Sequence, residues 1–128
     1  MILGFKKQFK EKILSGSKIH TIREDKNERW NIGRIIHFAT GVRTKNYEQF
    51  YEDTCKSVQD IEIWYKNKDS DYPIIIIDGR MLRVCEKKDW EILRELAAND
   101  GFESFEGFCA WFNKDFKGKI IHWTGLKY

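Results

Sequence analysis

Proline is almost absent from this sequence: Pro73 is the one proline in 128 residues. No Pro-, Gly- or Ser-rich linker, low-complexity tract or internal repeat interrupts the chain either, so residues 1–128 read as a single domain. Cysteine is scarce. Cys55, Cys85 and Cys109 are odd in number, far apart and free of any CxxC pair, which argues against a disulfide framework. They read as reduced, mostly core thiols of a cytoplasmic protein. Long apolar runs are missing too. The opening MILGF is too short for a signal-peptide core, and IIII at 74–77 is only strand-sized. Nothing approaches a membrane span, so no membrane partner is expected.

What is present belongs to a folded globule. Hydrophobic residues make up 41% and aromatics 15%, in a chain long enough for one core. The net charge of +3 hides an asymmetry. Residues 1–45 hold eleven Lys and Arg against four Asp and Glu, whereas residues 46–128 hold twelve against sixteen. A basic N-terminal third points to an anionic partner: nucleic acid, nucleotide or phosphate.

The periodicities predict an α+β fold. ILGF is a short strand, and KKQFKEKILS (6–15) places Phe9 and Ile13 on one helical face before Gly16, a helix-ending glycine. IHTIRE and RIIHFAT are strands on either side of the charged DKNER stretch and a turn at Trp30, Asn31 and Gly33. Alternation runs loosely through FYEDTCKSVQDIEIWYK, and NKDSDYP is a loop. PIIIIDGRMLRV is a hairpin turning at Asp78-Gly79, both positions needing positive φ. Residues 87–98 carry the clearest helical stripe: Trp90, Leu93 and Ala97, with Leu96 beside it. Ser104 caps a further helix, FEGFCAWFNKDF, and Gly118 opens the final strand. The sum is about six mostly antiparallel strands, curled toward a small barrel, with two to three helices at one side. The last strand can close such a barrel by pairing near the first.

One stretch concentrates chemistry. GSKIHTIRED brings Lys18, His20, Thr21, Arg23, Glu24 and Asp25 together behind Gly16. The order G-x-K-x-x-T-I-R, a charged loop, W-x-x-G, and much later a helix leading into DGFxSFxxF resembles the ASCH domain family. Members are compact β-barrels related to the PUA RNA-binding fold. The residues carrying the resemblance are Gly16, Lys18, Thr21, Ile22, Arg23, Gly33, Asp100, Gly101, Phe102, Ser104 and Phe108, and 42–85 fits least distinctly. The resemblance implies RNA or a modified nucleoside as partner, bound in a cleft between barrel and helices. It also resembles a small branch of amidohydrolases that deacylate N4-acylated cytidine with a lysine, a threonine and an acid. By motif position these are Lys18, Thr21 and Asp100. Asp100 stands where that branch has glutamate, and Ile19-His20 where it tends to have threonine and an aliphatic residue.

The residues allow this chemistry on one geometric condition. A threonine hydroxyl needs a base within hydrogen-bond reach, and a lysine serves if burial lowers its pKa. Positions 18 and 21 face opposite sides of a regular strand, so Lys18 must lie in the turn after Gly16. Thr21 and Arg23 share a face, and the Arg23 fork suits phosphate or a base edge. A binding-only version uses Lys18, His20 and Arg23 with Trp123 and Thr124 as the ligand-facing pair of the last strand. His20, His37 and His122 show no ligand spacing, so neither a metal nor any other cofactor is expected. A third alternative is a protein-partner module without catalytic or nucleic-acid role.

Overall fold

A computed structural model of the chain describes residues 1–65 and 72–128. In chain order its elements are β1 (Ile2–Phe5), α1 (Lys7–Leu14), β2 (His20–Arg23), β3 (Ile35–Thr40), β4 (Glu48–Thr54), β5 (Ser57–Trp64), β6 (Ile74–Ile77), β7 (Arg80–Leu82), α2 (Lys87–Asn99), α3 (Phe105–Trp111) and β8 (Phe116–His122). The class is α+β. Of the expected loop NKDSDYP, residues 67–71 lie outside the described residues.

The strands pair as two sheets, ordered β1-β3-β4 and β2-β8-β5-β6-β7. All ladders are antiparallel except β1 with β3. Among the described residues no ladder closes a barrel, and β8 pairs with β2 and β5, not with β1. Among the described residues eight strands replace the expected six, partly because FYEDTCKSVQDIEIWYK breaks at Cys55–Lys56 into β4 and β5. β4 alternates poorly because it is an edge strand, exposed along most of its length.

The five-stranded sheet is buried on one face, and its other face is covered around β8. One face carries Ile22, Ile61, Ile63 and Ile120 against Leu93, Leu96, Phe105 and Phe108 of α2 and α3. The other packs Ile121 and Trp123 against Leu3, Phe5, Ile36 and Phe38 of the smaller sheet, with Phe9 and Ile13 of α1. Strand parity assigns each residue to its layer. The hairpin turn forms as its sequence requires, with φ of 49° at Asp78 and 82° at Gly79.

α3 is shorter than its sequence pattern: it ends at Trp111, and Phe116 already pairs with Ile63 in β8. The aromatic spacing past Phe112 serves the strand, not the helix, so β8 starts two residues before Gly118. Of the cysteines, Cys55 is buried and Cys109 half-buried, while Cys85 is exposed; all three are free thiols. Among the described residues no helix is long and apolar enough to cross a membrane.

Candidate functional site

Two helix ends build the site. α1 stops at Ser15, and Gly16 takes φ +84°, turning the chain so that Lys18 N–H reaches the Lys12 carbonyl at 2.9 Å. Ile19 N–H then bonds the Asn99 carbonyl at 2.9 Å, docking this turn on the end of α2. β2 begins only at His20, so Lys18 lies outside the pleat and shares a side with Thr21.

α2 ends in a Schellman arrangement. Phe102 N–H bonds the Ala97 carbonyl and Gly101 N–H the Ala98 carbonyl, both at 3.0 Å, with Gly101 at φ +93°. This fixes Asp100 at the cap with its own carbonyl unspent. Lys18 Nζ takes it at 2.6 Å and donates to Asp100 Oδ1 at 3.0 Å. Lys12 Nζ takes the next carbonyl, Gly101, at 2.6 Å. Two ammonium groups therefore sit on the negative end of α2, where the helix dipole favours cations.

The Lys18–Asp100 pair is almost entirely out of water, at 3% and 2% exposure. Around it a cavity of about 290 Å³ opens, lined by Phe5, Lys18, Thr21, Arg23, Asp100 and Trp111 among others. Lys18 Nζ lies 5.0 Å from the Phe9 ring centroid and 5.8 Å from that of Phe5. Burial pushes the Lys18 pKa down; Asp100 opposes the shift, and Arg23 and Lys12 add to it. Arg23 donates through Nε to Thr21 Oγ1 at 3.2 Å and through Nη2 to the Gly4 carbonyl at 2.6 Å, over the face of Phe5. Burial also pushes Arg23 down, against the pull of Asp100, but a guanidinium stays charged. At the mouth, Lys6 Nζ sits 5.0 Å from the Trp111 ring centroid.

The other expected residues lie elsewhere. His20 is fully buried and faces the opposite side of β2 from the cavity, against Asp100 and Tyr128. Trp123 is a core residue at 4% exposure, edge-on to Phe38 at 4.7 Å and to Phe5 at 6.4 Å. Its parity with Ile121 sends it into the layer between the sheets. Thr124 uses its Oγ1 to accept from Leu126 N–H at 3.3 Å. Neither residue lines the cavity. Phe5, Phe9 and Trp111 do reach it, although helical and strand spacing mark such residues simply as core.

His20 and His122 stand with ring centroids 5.2 Å apart, while His37 pairs with Glu52 in the other sheet. Among the described residues no group of three or more His, Cys, Asp or Glu is placed to hold a metal ion. Wider hollows, such as one of about 540 Å³ beside Trp90 and Ser104, lack a buried ion pair. No family model, curated protein or solved structure matches the chain.

Proposed function

We propose that the chain is an ASCH-type domain whose cavity binds a nucleoside-like ligand and hydrolyses an amide on it, with an N4-acylated cytidine as the substrate class. In this reading the two packed sheets are an opened PUA-like barrel, and the three free thiols fit a reducing, cytoplasmic setting. The observation carrying the reading is how Asp100 holds Lys18. Once the Lys18 ammonium gives up one proton, the amine has two hydrogens and one lone pair. The Asp100 carbonyl and Oδ1 take both hydrogens, leaving the lone pair for the cavity that Thr21 lines.

The steps follow from that arrangement. Thr21 Oγ attacks the acyl carbon while Lys18 Nζ removes its proton. The C–N bond breaks, and the Lys18 ammonium returns the proton to the departing exocyclic amine. Water then attacks the Thr21 ester, giving its proton to Lys18, which restores the threonine hydroxyl as the acid leaves. The Arg23 N–H on Thr21 Oγ1 favours negative charge developing there. Trp111 offers an apolar wall for a base, and Arg23 and Lys6 are the cations nearest any phosphate it carries.

A cavity of about 290 Å³ falls just below the roughly 300–1,000 Å³ of small-molecule pockets. It suits one nucleoside, or one base turned out of a strand, better than an oligonucleotide. Incubation with N4-acetylcytidine tests the reading. Release of cytidine by the wild type and its loss in Thr21→Ala are expected; no release above buffer overturns the hydrolytic assignment.

A further inference from the structure

Behind the Lys18–Asp100 pair lies a second set of polar side chains that the steps above do not use. Alternation puts His20 on the opposite face of β2 from Thr21 and Arg23. Its Nδ1 stands 3.2 Å from Asp100 Oδ1, the same oxygen that receives Lys18 Nζ. Its Nε2 lies 2.6 Å from the Tyr128 hydroxyl, which also accepts from Asn99 Nδ2 at 3.0 Å. Gln59 pins the Tyr128 main chain, donating to its carbonyl at 2.7 Å and accepting from its N–H at 2.9 Å.

The donor and acceptor roles close consistently around a His20 that carries a proton on Nδ1. An ionised carboxylate only accepts, so Nδ1 carries the proton. Nε2 then accepts from the Tyr128 O–H, whose oxygen is left free for the Asn99 amide. The remaining neighbour, His122, is neutral near pH 7, since burial first, and then His20 and Lys127, lower its pKa to about 4. The charged groups facing His20 are thus Asp100 and, through it, Lys18, while Arg23 points to the other side of the strand.

We propose that His20, backed by Tyr128, is a positioning residue for the cavity. Its Nδ1–H holds the Asp100 carboxylate in the orientation in which Oδ1 and the main-chain carbonyl both take Lys18 Nζ. The proposal rests on Lys18 and Asp100 being the working pair. A carboxylate at a helix end turns about its short stem unless a second donor fixes it, as outer partners fix ligand groups in metal sites. His20 supplies that donor without touching the ligand.

The test uses the full chain with isotope-labelled histidine and lysine. Histidine ring nitrogen shifts report the tautomer, and the Lys18 Cε shift followed against pH reports the amine. His20 is expected to carry a proton on Nδ1. His20→Leu should displace the Lys18 midpoint by about half a unit or more. It should also lower turnover of N4-acetylcytidine about tenfold or more at unchanged KM. His20→Asn, whose amide N–H still reaches Oδ1, should restore most of both. Tyr128→Phe should leave the proton on Nδ1, since Asp100 still only accepts, and move the Nε2 shift alone.

A wild-type His20 with no proton on Nδ1 overturns the proposal. So does a Lys18 midpoint that His20→Leu leaves unmoved. If His20→Leu does not fold, the proton on Nδ1 in the wild type and its persistence in Tyr128→Phe decide. If wild type releases no cytidine while the Lys18 midpoint still follows His20, the hydrolytic reading falls and the positioning role stands.

Discussion

Asp100 holds the Lys18 ammonium through two different oxygens, its main-chain carbonyl at 2.6 Å and its carboxylate at 3.0 Å. One oxygen belongs to a helix end and the other to a charge, so the two contacts fail differently. Asp100→Ala keeps the carbonyl but strands a buried ammonium, an error costing about 3–5 kcal/mol. Urea unfolding should show that loss as a lower midpoint with little change of slope. The double variant Lys18→Met/Asp100→Leu should recover much of it, because the uncompensated charge is gone.

His122 makes stability depend on pH. Its buried ring has a folded pKa of about 4, below the 6.5 of a free imidazole, so the unfolded chain binds the proton first. The contribution is fully present above 6.5, declines as pH falls, and levels off below 4. Its size is at most about 3 kcal/mol. Urea midpoints collected from pH 7.5 to 4 should therefore fall, and His122→Leu should flatten that part of the profile.

Gly101 ties the helix end to the cavity. At φ +93° an added Cβ would meet Phe9 Cδ1 at 3.0 Å and the Lys18 Cδ at 3.2 Å. Gly101→Ala pays the left-handed strain of about 1–2 kcal/mol and pushes the Lys18 stem aside. A folded protein with lowered stability and a larger proportional loss of cytidine release is expected. Equal release by the variant and the wild type would show that Lys18 placement is not limiting.

Salt separates a single nucleoside from a bound strand. Proteins that read a run of phosphates lose about 10³–10⁵ in affinity between 50 and 200 mM salt. Calorimetric binding of uncharged N4-acetylcytidine should instead change by less than about twofold over that range, since no counterions are released. A steep fall for RNA alongside a flat nucleoside response would locate strand binding on the basic surface outside the cavity.

Local grammar carried much of the fold. Asp78-Gly79 marks its turn because positive φ at two successive positions admits few residue pairs, and the Leu93, Leu96, Ala97 stripe marks α2 because a long helix repeats its pattern. Gly16 is the local cue that takes Lys18 out of the pleat. The division into two sheets was not legible, since register between distant strands is set by packing. β4 conceals itself as an exposed edge, and the aromatics after Phe108 fit a helix and a strand equally well. At the site, His20 and Thr21 are adjacent in sequence but belong to opposite faces. Only the arrival of Asp100 and Tyr128 from the far end of the chain shows what His20 touches. Trp123 looked like a ligand platform because a terminal-strand tryptophan has that use, but its parity made it core.

The proposed hydrolysis turns on acylation of Thr21 Oγ with Lys18 as its base. Acid-quenching the wild type early in its reaction with N4-acetylcytidine, then mapping peptides by mass spectrometry, measures this directly. An acetyl group on Thr21 that disappears in Thr21→Ala, and that fails to form in Lys18→Met, is the expected result. Cytidine release by Thr21→Ala at the wild-type rate, with no acetylated peptide in either protein, would contradict it.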